Sequence, residues 1–278
     1  MVYPSPLKAS IRKIADNVVI ASCPFSIFES VHVGARMALI KHGKDITIWS
    51  PLKYSEAVFQ QALQLLVGDE KVNITNIVVV NVKHCMAAGE YKKVFPDAKI
   101  IASQATKLAE GVEVDVKVTY KWGAGKLLGK QELTEIGITS SSFTDNFQLV
   151  YMDKHKNREL ILHDTTSKTL FVGDTLFNLG IPGTTTGEVK LEQFSEEAGV
   201  PGKFFPHSGW SFLTRYLQPE SRVGKYIMKD LVQIKTEESK LALKTIGDLD
   251  FDRIVMCHGN VIDKDGKAVF NKLFNSSL

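Results

Sequence analysis

Apolar and polar positions alternate along this chain in two different rhythms. NVVIAS from Asn17 and DITIWS from Asp45 are short apolar runs bounded by turn residues and predict buried strands. SEAVFQQALQLLVG from Ser55 places its apolar residues at helical spacing, opens on a Ser and closes on a Gly, and so predicts a helix. NIVVVNV from Asn76 is wholly apolar at its centre, and a helix-like HCMAAGEYKKVFP and a further strand, AKIIAS, follow it. VEVDVKVTYKW alternates with period two, which predicts half-exposed antiparallel strands. FQLVYMD, RELILHD and KTLFVGD predict three successive antiparallel strands joined by turns at 154–157 and 165–167. From 183 to 222 the rhythm breaks into GTTTG, acidic residues and the aromatic cluster KFFPHSGWSF, predicting an irregular insert. A long helix ending near Ile246, the strand DRIVM, the turn CHGN and a terminal helix through Phe274 complete the chain. Without a repeat or low-complexity linker, one domain over 1–278 is expected.

Composition narrows the class. The chain has 278 residues, 44% hydrophobic and 23% charged, enough to bury a large core. A net charge of +3 with mixed signs predicts neither a nucleic-acid partner nor a membrane surface, and leaves a small molecule as the expected ligand. Cys23, Cys85 and Cys257 are too few and scattered for a disulfide framework, and no leader or spanning segment stands out, so a cytoplasmic or nuclear location is expected. The Gly-rich GAGKLLG at 123–129 is no phosphate loop: Tyr120 stands where the first Gly belongs and Leu127 follows the Lys.

Candidate chemistry collects where strands end. Asp174 closes KTLFVGD with no basic neighbour, and an unpaired carboxylate entering a core costs several kcal/mol, so it caps a turn, pairs with a distant group or holds a metal. His84 follows NIVVVNV and His258 follows DRIVMC, so three strand exits each deliver a potential metal ligand. These three groups are expected to meet within about 5 Å of a common point, since metal bonds are ~2 Å long. His163 on a strand and His207 in the aromatic insert are secondary candidates, Cys85 is a possible thiolate ligand, and His32, His42 and His155 have no supporting pattern.

In these segments the chain resembles the metallo-β-lactamase-fold superfamily. LFVGDTLF at 170–177 is similar to its bridging-Asp strand and IVMCHGN at 254–260 to its final His loop. WSPLKYSE, NVKHCMAAGEYKKVFPDAKI, LHDTTSKTLFVGDTLFN and FDRIVMCHGN resemble, more narrowly, an uncharacterised β-lactamase-like family with a reduced metal signature. The resemblance implies an αββα sandwich of two mixed sheets flanked by helices, with the site on one edge. The superfamily pattern H-x-H-x-D-H, ended at His84, falls on Val79, Asn81, Lys83 and His84. The first metal site has therefore lost its ligands, Val79 is expected only to pack and Asn81 to substitute by hydrogen bonding. The second keeps His84, Asp174 and His258, a set able to hold one Zn, Fe or Mn. Two functions stay open. One is a mononuclear hydrolase of an ester, amide, thioester or phosphoester, with Asp174, Lys83 and His163 as candidate catalytic groups. The other is a catalytically silent relative, without a metal, that binds a small molecule or protein.

Overall fold

In a computed structural model that describes residues 2–180 and 190–274, the chain forms strands β1 (Ser10–Ala15) and β2 (Val18–Cys23), then a short hairpin of β3 (Ser26–Ile27) and β4 (Val31–His32). Next come β5 (Ala35–His42), β6 (Asp45–Trp49), α1 (Glu56–Val67), β7 (Asn73–Val78), α2 (Ala88–Val94), β8 (Lys99–Ser103) and β9 (Val116–Val118). The second half holds β10 (Leu127–Leu128), α3 (Lys130–Glu135), α4 (Ser141–Thr144), β11 (Phe147–Met152), β12 (Glu159–Asp164) and β13 (Thr169–Val172). It ends with α5 (Arg222–Leu231), α6 (Glu237–Asp248), β14 (Arg253–Met256) and α7 (Gly266–Phe274). None of these helices is long and apolar enough to cross a membrane.

Two mixed sheets result, in the orders β1-β2-β5-β6-β7-β8-β9 and β10-β11-β12-β13-β14. The first is antiparallel from β1 to β6 and parallel from β6 to β9. The second is antiparallel except for the β13/β14 pair. Their inner faces share one core, in which Ile20, Ala38 and Val78 meet Leu149, Leu162 and Phe171. Trp49 and Phe171 touch across the interface with ring centroids 5.3 Å apart. The opposite set of each strand's residues faces helices, α1 over β2 and β5 and α6 over β11, as period-two alternation requires when both faces are covered. The architecture is the αββα sandwich that the sequence implied.

Three local expectations change. The alternating stretch near Val114 supplies only β9, which runs parallel to β8; alternation reports one buried and one exposed face, and an edge strand satisfies it in either direction. The long helix is two: Gln233 takes φ of 54° between α5 and α6, and the Thr236 hydroxyl accepts from Ser239 N–H to cap the second. His84 and Cys85 lie in the loop ahead of α2 rather than opening it. Of the irregular stretch, 183–189 lies outside the described residues. Its remainder carries 3-10 helices at Glu192–Phe194 and Gly209–Tyr216.

Phe171→Ala should destabilise the fold by about 3–5 kcal/mol, because it opens a cavity opposite Trp49 at the sheet interface. Denaturant unfolding tests this, and a cost below about 1 kcal/mol would show that the two sheets do not share this contact.

Candidate metal centre

Strand register explains why residues distant in sequence meet. Val172 of β13 pairs with Met256 of β14 in parallel, so two residues further on Asp174 and His258 leave the sheet side by side. A parallel bridge between Asn178 and Gly259 continues the pairing. Gly259 adopts φ of 91°, and a Cβ there would lie 2.2 Å from the Asn178 backbone, so only glycine permits this turn beside His258. His84 comes from the other sheet. Beyond β7 the chain crosses over: Leu160 N–H donates to Val80 O at 2.7 Å, and Val82 N–H donates to Asn157 O at 3.1 Å.

Asp174 is buried, and its two oxygens have different surroundings. Oδ2 accepts from the side-chain amides of Asn81 (2.9 Å) and Asn157 (2.7 Å). Oδ1 faces His84 Nε2 and His258 Nε2, each at 3.4 Å. One ligand atom from each of the three residues lies within 4.8 Å of the other two. A charge-assisted N–H···O bond is about 2.7–2.9 Å long, whereas ligands at ~2.0–2.1 Å from a tetrahedral ion stand about 3.4 Å apart. His258 Nδ1 lies 2.8 Å from Gly34 O, a contact it makes as a donor. In the neutral ring this leaves Nε2 as a lone pair directed at Oδ1, the arrangement of a metal-ligating imidazole held by a carbonyl. The three residues thus fit one divalent cation.

Without a cation the same groups act on one another's charge. Burial alone lowers the His84 pKa, but Cys257 and the Asp174 carboxylate outweigh it and hold the imidazole well above its usual range. Burial would raise the Asp174 pKa, yet His84 and His258 keep it well below that of an ordinary carboxyl.

The supporting shell was less visible in sequence. Asn81 is fully buried; its Oδ1 accepts from the backbone N–H groups of Lys83 (2.9 Å) and His84 (3.2 Å), while Nδ2 reaches Asp174 and, at 3.3 Å, Glu159. The Glu159 carboxylate, also fully buried, accepts from the N–H groups of Gly173, Asp174 and Thr175 at 2.8, 2.6 and 3.2 Å. Gly173 is required for contact: a Cβ there would stand 2.4 Å from Val80 Cγ1 and 2.9 Å from Asn81 Nδ2. Sequence reading missed Asn157 and Glu159, although a Glu opening an otherwise apolar strand is itself a signal of a buried acceptor. The two nearby thiols also differ in their surroundings. Cys85 bonds the carbonyls of Val82 and Lys107, and burial pushes its pKa up, whereas buried Cys257 meets His84 and lies 3.2 Å from Ser50 Oγ.

Other candidates lie elsewhere. Lys83 is exposed and forms no ion pair among the described residues, so it does not neutralise Asp174; its backbone, not its ammonium, joins the network. His163 is away from the trio, on the helix-facing side of β12, bonded to Gln148 Oε1 at 2.9 Å and Asp250 O at 3.0 Å. Val79 packs in the core. His207 is buried against Thr214 Oγ1 at 2.8 Å, with burial and Arg215 lowering its pKa to about 4. His32, His42 and His155 bond Ser26, Asp164 and the Asn157 backbone.

Two predictions test this site. Asn81→Ala removes a donor shared by two buried carboxylates and should cost about 2–3 kcal/mol in chemical denaturation; a cost near zero would contradict the network. Because the folded pKa of His84 is raised, its stabilisation of the metal-free protein is complete below the unfolded histidine value of about 6.5 and is lost as pH rises through the folded value. A cation displaces that proton, so zinc uptake at neutral pH should release protons and tighten with rising pH. Calorimetry in buffers of different ionisation enthalpy measures the release, and none at pH 7 would contradict a protonated His84.

Among solved structures, the metallo-β-lactamase FIM-1 from Pseudomonas aeruginosa, in its mono-zinc form, superposes with a TM-score of 0.54 at 10% identity, covering 99% of this chain and 96% of that one. A metallo-β-lactamase from Pontibacter korlensis gives 0.54 at 10% identity, covering 97% and 99%. A flavo di-iron protein from Thermotoga maritima gives 0.58 at 17% identity, covering 99% of this chain but 62% of its own. No family model and no curated protein matches the sequence. These likenesses, together with the two-sheet sandwich, show that the chain has the metallo-β-lactamase fold.

Proposed function

We propose that the chain is a hydrolase using one divalent metal ion held by His84, Asp174 and His258. The observation that carries this is the arrangement around Asp174 Oδ1, with two imidazole Nε2 atoms at 3.4 Å and the His258 ring held from behind by Gly34 O. Zn, Fe or Mn held there would supply the Lewis acidity that hydrolysis of an ester, amide, thioester or phosphoester needs. Asn81 and Asn157 engage Oδ2 and so leave Oδ1 to face the cavity, while Glu159 holds the turn that carries Asp174. The Ser50 hydroxyl and Lys83 line the same cavity and supply a polar donor and a cation for developing negative charge. Val79 and Asn81, standing at first-site positions of the superfamily pattern, support a single ion rather than two.

A second reading, a metal-free module that binds a small molecule, rests on the hydrogen bonds that already satisfy Asp174 Oδ2. Elemental analysis of protein purified without chelator separates the two. The hydrolase reading expects close to one Zn, Fe or Mn per chain, and a loss of at least tenfold in occupancy for Asp174→Ala. No metal after supplementation would overturn it and leave the binding module.

A further inference from the structure

The candidate centre opens into a cavity of about 590 Å³, within the ~300–1,000 Å³ typical of small-molecule sites. Away from the three candidate ligands its walls are mostly apolar. Phe25, Ile27, Val31, Leu52, Met86 and Phe177 supply much of the lining, and Phe177 stacks on the His258 ring at 5.6 Å. One wall comes from the hairpin β3/β4, another from the segment after β6, and a third from the end of the 3-10 helix at Gly209–Tyr216, through Thr214 and Leu217. The hairpin is fixed to that helix by Ser211, whose Oγ accepts from His32 N–H at 2.7 Å and donates to Ser30 O at 2.9 Å. The apolar channel is therefore built into the fold. Phe28 and Met86, exposed at 83% and 47%, carry apolar surface out towards solvent. Beside the three candidate ligands, the only charged residue among the described lining is Lys83, whose ammonium has no ion pair among the described residues.

An apolar cavity with a candidate metal centre and, among its described lining, one cation without an ion pair selects a particular chemistry. Water-soluble, multiply charged substrates would be desolvated there without compensating partners. An alkyl chain gains on burial, and one anionic group can meet Lys83. We infer that the site takes an amphiphilic substrate, a linear alkyl or acyl chain of medium length carrying one anionic group, with the chain along Phe25, Ile27 and Val31 and the anion at Lys83. The inference rests on the proposed hydrolase in placing the scissile bond at the trio, but the chain-binding channel itself needs no metal.

Linear alkanoates probe the channel directly. Titration calorimetry of chelator-treated protein with acetate, butyrate, hexanoate and octanoate should show affinity rising about two- to fourfold per added methylene. Octanoate should bind at least tenfold more tightly than 1-octanol, and Lys83→Gln should remove most of that preference. Met86→Glu, a change at a half-exposed position, should weaken octanoate more than butyrate. Affinity that does not change from acetate to octanoate overturns the inference, as does a series unaltered by both substitutions. A climbing series in a protein that takes up no metal sinks the hydrolase and leaves the channel; one bound metal with a flat series does the reverse.

Discussion

The Asn81 side chain ties the candidate site together. It belongs to the strand exit of one sheet, and through a single amide it grips its own following turn and two carboxylates carried by the other sheet. An amide suits this position because it offers acceptor and donors at once, and all are used. A neutral histidine there would offer one donor and one acceptor, fewer than the two donations and two acceptances Asn81 makes. Asn81 thus orients the candidate ligands instead of serving as one.

This arrangement also shows how two buried carboxylates are tolerated. Glu159 and Asp174 would each cost several kcal/mol if left unpaired in the core. Glu159 is compensated by three backbone N–H groups and has no free lone pair aimed at the cavity; Asp174 is compensated on one oxygen only. The remaining oxygen is where positive charge is needed, whether from a proton on His84 or from a cation. Structure and chemistry therefore divide the two acids: one is a positioning group and the other a candidate ligand.

The sequence made the strand-end residues legible because burial and chemistry conflict there. Asp174 after an apolar strand, and His84 and His258 after two others, could be recognised without knowing the sheet order. Lys83 and His163 stand apart from the trio for different reasons. Lys83 occupies the place of an acid in a spacing pattern, but it stands exposed on the cavity lining and pairs with none of the three candidate ligands. His163 follows an apolar strand run, but period-two alternation put it on the helix-facing side, and the phase could not be read without the register to Gln148 and Leu170. Glu159, Asn157 and Cys257 stayed hidden because their importance arises only from contacts between the two sheets. The split between α5 and α6 was equally invisible, since it depends on a positive φ at Gln233, a residue type with no strong turn signal.

X-ray absorption spectroscopy of the protein loaded with one equivalent of zinc tests the central claim most directly. The account predicts a shell of nitrogen and oxygen ligands at about 2.0–2.1 Å, with outer-shell scattering from two imidazoles and no sulfur. A sulfur shell at about 2.3 Å would put Cys257 in place of a histidine, and fewer than two imidazoles would contradict the assignment of His84 and His258.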